Sequence, residues 1–352
     1  MYRGVLEHYG HLLDLPAHTR PVSLLEGNTP LIPMPRLGKE LGVELFVKFE
    51  GMNPTGSFKD RGMTAAISEA VGRGARTVIC ASTGNTAASA AAYAARAGSR
   101  AIVLIPEGKV AAGKLAGAVA YGAEVIQVQG SFDAALALVV EITQKTPIAL
   151  VNSINPYRIE GQKTAAFEIC DVLGRAPDWL CLPVGNAGNI TAYWAGFKQY
   201  QKGLPRILGV QAQGAAPLVL GHPVENPETI ATAIRIGKPA RGEQALEAAR
   251  ESKGRIIAVS DEEILSAQKM LAGEGVWVEP ASAAGIAGLM AEAGRGRRPE
   301  PVEGSGFEAR GKTVVVVCTG HGLKDPSVVI ESFQSPKVIP ANYEALATVI
   351  GV

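Results

Sequence analysis

From Glu44 to Cys318 the chain alternates short β-branched runs with Ala- and Gly-punctuated stretches of helical periodicity. That alternation restricts the fold more than any other feature. The pattern predicts strands at Glu44–Phe49, Thr77–Ala81, Ala101–Ile105, Glu124–Val128, Ile148–Val151, Trp179–Val184, Ile207–Gln211, Ile256–Val259 and Thr313–Cys318. Between them it predicts helices that include Lys59–Arg73, Asn85–Ala97, Phe132–Gln144 and Arg158–Leu173. Strands that alternate with helices close as a mainly parallel sheet with helices on both faces, an α/β fold. Ligands of such sheets gather at the carboxyl ends of the strands, where the chain turns into a helix. Those turns are where chemistry is to be sought.

Composition removes several function classes. Lys plus Arg is 34 and Asp plus Glu is 33, a net charge of +1, which argues against an electrostatic nucleic-acid binder. Cys80, Cys170, Cys181 and Cys318 include no CxxC pair, so neither a zinc site nor a disulfide framework is indicated, and a reduced, cytoplasmic protein is the simplest reading. Residues 1–15 carry Glu7, His8, His11 and Asp14 and do not read as a signal peptide. No uncharged apolar stretch reaches the roughly 18 residues of a membrane span. The Ala-rich run Thr86–Ala97 contains Tyr93 and Arg96 and reads as a helix buried by its small side chains. Gly294–Gly306 reads as an exposed loop, and Asn342–Val349 as a short helical stretch in the tail.

Four turns stand out. In Asn53-Pro54-Thr55-Gly56-Ser57-Phe58-Lys59-Asp60-Arg61-Gly62, Ser57 is a good N-cap and Lys59 falls in the first helical turn. The positive end of the helix dipole disfavours an ammonium there, so a sheltered Lys59 would have a lowered pKa and serve as a nucleophile; alone, it could equally be a solvated surface lysine. Ala81-Ser82-Thr83-Gly84-Asn85-Thr86 offers hydroxyls, an amide and free backbone N–H groups to a carboxylate or phosphate, or is ordinary capping. Gly185-Asn186-Ala187-Gly188-Asn189 can wrap an anion at the start of the helix Ile190–Tyr200, or is a tight structural turn; it is not GxGxxG, so a dinucleotide reading is weak. Val317-Cys318-Thr319-Gly320-His321-Gly322 places a hydroxyl at the end of the most apolar strand.

One motif misleads. Gly306 to Thr313 matches the Walker A spacing, but it precedes a strand where a phosphate-binding loop must follow one. No GxSxG occurs to suggest a serine hydrolase.

A near-helix lysine, a glycine-rich anion cradle, a carboxylate-type turn and a strand-end hydroxyl together describe a pyridoxal-phosphate site. Here the chain resembles the fold-type II pyridoxal-phosphate enzymes (tryptophan synthase β-like), and among them the threonine synthase family, from Leu25-Glu26-Gly27-Asn28-Thr29-Pro30-Leu31 through Thr319-Gly320-His321-Gly322. The Ser-Phe-Lys-Asp-Arg-Gly segment, with the Ser-Thr-Gly-Asn-Thr turn at family-like spacing, carries the likeness. The resemblance implies two open, twisted, mainly parallel sheets, with the active site in the cleft between a domain of residues 1–53 plus 154–352 and a smaller mobile one of 54–153. It implies that Lys59 holds pyridoxal 5′-phosphate as a Schiff base and removes the Cα proton. Asn85 would bond the cofactor's 3′ oxygen, Gly185, Asn186, Ala187, Gly188 and Asn189 would hold its phosphate, and Thr319 would face the pyridine nitrogen. A neutral hydroxyl there holds a ring proton less well than a carboxylate, which makes the ring a milder electron sink.

The same resemblance implies conversion of O-phospho-L-homoserine and water to L-threonine and phosphate in a cytoplasmic homodimer. The segment Val151-Asn152-Ser153-Ile154-Asn155-Pro156-Tyr157-Arg158 places amides, a hydroxyl and an arginine after a strand, or is a helix-starting turn with a surface arginine. By similarity Asn152, Ser153 and Arg158, with Lys114, would bind the substrate phosphate, and Ser82, Thr83, Asn85 and Thr86 its α-carboxylate. Three alternatives stay open: a serine or threonine dehydratase of the same fold, an enzyme acting on another phosphorylated or sulfur-containing amino acid, and a non-catalytic binder. Phosphate release, 2-oxoacid release and the colour of the purified protein separate them.

Overall fold

The computed structural model describes residues 1–108, 112–130, 132–295, 308–331, 338–341 and 343–350. Its strands are β1 (Leu31–Pro33), β2 (Glu44–Phe49), β3 (Thr77–Ala81), β4 (Arg100–Pro106), β5 (Glu124–Val128), β6 (Ala149–Leu150), β7 (Trp179–Pro183), β8 (Arg206–Ala212), β9 (Arg255–Val259) and β10 (Thr313–Cys318). One sheet has the order β1-β2-β10-β7-β8-β9 and the other β5-β4-β3-β6. All neighbours run parallel except β1, which pairs with β2 antiparallel. This is the expected α/β class, with two mainly parallel sheets and helices between and around them.

β10 runs Thr-Val-Val-Val-Val-Cys, is buried along its whole length and lies between β2 and β7. An uninterrupted β-branched run suits a strand covered on both faces. The helix Asn85–Arg96 is buried from Ala87 to Tyr93 and Ala94, as its alanines lead one to expect. β1 went unanticipated because three residues ending in Pro33 show no periodicity, and proline is tolerated at an edge. Most of the segment Gly294–Gly306 lies outside the described residues, and a helix spans Tyr343–Ile350.

Two helices position the site. Lys59–Gly72 has nearly every residue from Asp60 to Ala70 buried, and Tyr157–Leu173 packs against it. They touch backbone to backbone: a Cβ added at Gly161 would lie 1.8 Å from the Arg61 carbonyl oxygen, and one at Gly62 would lie 2.7 Å from the Arg158 carbonyl oxygen. Glycine at these positions is what lets Lys59 and Arg158 share a site. Gly161→Ala is expected to lower stability by about 3 kcal/mol, because the helices must separate. Urea unfolding checks this, and an unchanged midpoint contradicts the close-packing argument.

Candidate active site

Lys59 is the first residue of its helix. The preceding turn is stitched to the end of β10: Phe58 N–H donates to the Thr319 carbonyl at 2.9 Å, His321 N–H donates to the Gly56 carbonyl at 2.9 Å, and Ser57 pairs with Gly320. These bonds bring the lysine to the carboxyl edge of the larger sheet. Ser57 is not the cap residue its type suggests. The helix starts as a tight turn with Asp60 N–H on the Ser57 carbonyl and Arg61 N–H on the Phe58 carbonyl, which moves the cap position to Phe58. The Lys59 backbone N–H donates to the Ser57 hydroxyl at 3.4 Å.

The Lys59 side chain stays partly accessible, with Nζ 4.0 Å from the centroid of the Phe58 ring. Burial of the amine, and next the neighbouring Arg158 charge, pull its pKa down to about 7 against an upward pull from Glu279. Asp60 is wholly buried. Its carboxylate accepts from Thr55 N–H at 2.7 Å, Thr55 Oγ1 at 2.6 Å and Ser89 Oγ at 2.5 Å, which ties the lysine turn to the helix Asn85–Arg96. Burial raises its pKa to about 6, although those hydrogen bonds oppose the rise.

Ser82, Thr83, Asn85 and Thr86 follow β3 and remain partly accessible. The helix start at Asn85 has no side-chain cap, so its N–H groups are open to an anion. Asn85 Nδ2 donates to both oxygens of the Glu279 carboxylate, at 3.0 and 3.1 Å. Two residues past the neighbouring strand β6, Asn152 continues the sheet with its side chain: Oδ1 accepts from Ala81 N–H at 3.0 Å and Nδ2 donates to the Ala81 carbonyl at 2.9 Å. One amide N–H of Asn152 is left over.

Arg158 is 1% exposed, not a surface residue. Its Nη1 donates to the Val151 carbonyl at 2.8 Å, and its Nε has no partner among the described residues. Burial lowers its pKa to about 10, so it stays charged at neutral pH. Ser153 is partly buried beside it in sequence, and the Lys114 side chain lies outside the described residues.

At the end of β7, Gly185 lies so close to the segment around Ile234 that a Cβ would stand 3.0 Å from Ile234 Cα. Asn186 Oδ1 accepts from Ala240 N–H at 3.4 Å. Ala187 takes a left-handed conformation, φ 62°, and the helix Gly188–Tyr200 then begins without a side-chain cap. Asn189 Oδ1 is buried with no partner among the described residues. Just past the end of the adjacent β10, Thr319 Oγ1 lies 2.9 Å from Ser282 Oγ, which accepts from Gly320 N–H at 2.8 Å.

The family described as pyridoxal-phosphate dependent enzyme matches residues 22–320, a span that holds every turn just described. The chain is therefore a pyridoxal-phosphate-dependent enzyme. Threonine synthase of Halalkalibacterium halodurans is 57% identical over 350 residues, 98% of this chain and 96% of that protein. Threonine synthase of Synechocystis sp. is 57% identical over 339 residues, 94% of this chain and 86% of that protein. Among solved structures, maize serine racemase superposes with a TM-score of 0.73 at 25% identity, covering 87% of this chain and 91% of that one. Within the pyridoxal-phosphate enzymes, the chain belongs to the threonine synthase family.

The residues present fit the cofactor: a sheltered amine of lowered pKa, and an uncapped helix start whose N–H groups can meet a phosphate. Glu279 and Ser282 were not singled out from the sequence. Pro280 at the first helical position was the available signal, since it marks a helix N-terminus. In the cofactor-free protein, acylation of Lys59 should rise with pH to a plateau with a midpoint near 7, because the deprotonated amine reacts. An ordinary lysine midpoint of about 10.4, read by peptide mass spectrometry, would contradict the lowered pKa.

Proposed function

We propose that the chain converts O-phospho-L-homoserine and water to L-threonine and phosphate, by γ-elimination followed by addition of water at Cβ. Arg158 carries this reading. It is a buried, charged guanidinium with an unpartnered Nε, near enough to Lys59 to depress its pKa. A cation held in a dry site favours a substrate that brings an anion, and the planar fork of arginine suits a phosphate. Threonine and serine carry none beyond their carboxylate.

Bound pyridoxal 5′-phosphate supplies delocalisation of negative charge from the carbon next to the substrate's amino group. The chain supplies the rest. The Lys59 amine is about half neutral near pH 7 and accepts the Cα proton, then returns it. Ser82, Thr83, Asn85 and Thr86, with the open amides of their helix start, hold the α-carboxylate. Arg158, the spare N–H of Asn152, Ser153 and Lys114 bind the γ-phosphate and stabilise the charge it takes as it leaves. Asn85 also bonds the cofactor's 3′ oxygen. Gly185 to Asn189 would hold the cofactor's phosphate, and the neutral Thr319 hydroxyl would serve its pyridine nitrogen.

Residues 54–153 form a smaller domain that closes on the remainder. The containment of β3, β4, β5 and β6 between residues 77 and 150 supports that division. A cytoplasmic homodimer follows from the family, and the four buried free cysteines suit a reducing compartment.

Phosphate release from O-phospho-L-homoserine tests the proposal. Lys59→Ala should abolish turnover. Arg158→Ala should lower kcat/KM about 100-fold, the loss of roughly 3 kcal/mol expected when a charged hydrogen-bonded pair is broken. Wild-type protein that forms a 2-oxoacid from threonine and releases no phosphate contradicts the assignment, as does full activity in Arg158→Ala.

A further inference from the structure

Glu279 is 3% exposed, and no ion pair joins it to a cation among the described residues. Its place is set by the backbone. Glu279 N–H donates to the Gly320 carbonyl at 3.2 Å, Val278 pairs with His321, and a Cβ at Gly320 would lie 2.4 Å from Glu279 Oε1. The same strand end is bonded to the lysine turn. From this fixed platform the carboxylate reaches the helix that follows β3 and accepts from Asn85 Nδ2 with both oxygens, at 3.0 and 3.1 Å.

The chemistry of that contact is directional. An ionised carboxylate only accepts hydrogen bonds, so Asn85 must turn its NH2 group and not its carbonyl toward Glu279. One N–H straddles the two oxygens, and the second remains free to point into the site. Without Glu279 the amide can flip by half a turn with no change of shape. Burial pushes the Glu279 carboxyl above its ordinary value, and the Asn85 hydrogen bond and the Lys324 and Lys59 charges pull the other way, toward the charged form.

We propose that Glu279 is a positioning residue that fixes the amide of Asn85, so that an N–H and not a carbonyl faces the 3′ oxygen of the cofactor. This rests on the reading that Asn85 contacts that oxygen, and the test separates the two. Cofactor-depleted E279Q, E279D and N85A are titrated with pyridoxal 5′-phosphate, following affinity and the visible absorbance band, with circular dichroism to check folding. The E279Q side chain keeps the reach and can accept through its amide oxygen, whereas the shorter carboxylate of E279D withdraws the acceptor and keeps the charge. E279Q should bind within about threefold of wild type with an unshifted band. E279D and N85A should bind about tenfold more weakly with a shifted band, the loss of one buried hydrogen bond. Wild-type behaviour of E279D, or a loss in E279Q, overturns the proposal while a defective N85A leaves the reading of Asn85 standing. Wild-type behaviour of N85A overturns both.

Discussion

Arg61 lies two residues past Lys59, wholly buried, with every donor engaged. Its guanidinium bonds Glu50 at 2.6 and 2.9 Å, Glu168 at 2.6 and 2.8 Å, and the hydroxyls of Thr29 and Thr164 at 3.0 Å. Lys48 adds a second cation on Glu168 at 2.7 Å, so two positive and two negative charges cancel in one dry cluster. Burial pushes the Glu168 carboxyl up, but Arg61 and Lys48 outweigh it and hold the pKa at about 2. Separating such partners leaves a buried charge uncompensated, at a cost of about 3–5 kcal/mol. The partners come from the segment before β1, from β2, the residue after it and the helix Tyr157–Leu173, so the start of the lysine helix cannot shift without breaking the cluster. The position of the Lys59 amine follows from that constraint.

Within this frame Lys59 feels two opposed charges, Arg158 pulling its pKa down and Glu279 pulling it up. An anion seated on Arg158 cancels part of the downward pull. If the substrate's phosphate sits on Arg158 as proposed, the amine would become a stronger base with it in place, and recognition of the leaving group would be coupled to abstraction of the Cα proton. A substrate without a phosphate would leave Arg158 unpaired and the amine less basic, a physical basis for discrimination against threonine and serine.

Much of the fold was legible because buried parallel strands are plain apolar runs. Thr77–Ala81 and Thr313–Cys318 have the bounds their sequence predicts, as do Glu44–Phe49 and the largely exposed edge strand Glu124–Val128. The turns were legible because Gly, Asn and hydroxyl residues cluster where strands give way to helices. What stayed hidden was who meets whom. Glu279 and Asn85 are 194 residues apart, and neither shows in its own neighbourhood that the other completes it. Asn152 looked like a ligand by type, yet most of its amide continues the sheet at Ala81. Helix-to-helix contact through Gly62 and Gly161 likewise depends on register that periodicity does not encode.

Every role assigned around the site depends on Lys59 being the residue that carries the cofactor. Borohydride reduction of the cofactor-bound enzyme, followed by peptide mapping, tests this directly. The expected result is a pyridoxyl label on Lys59 and on no other lysine. A label on a different residue, or protein that takes up the cofactor and yields no reduced adduct, would contradict it.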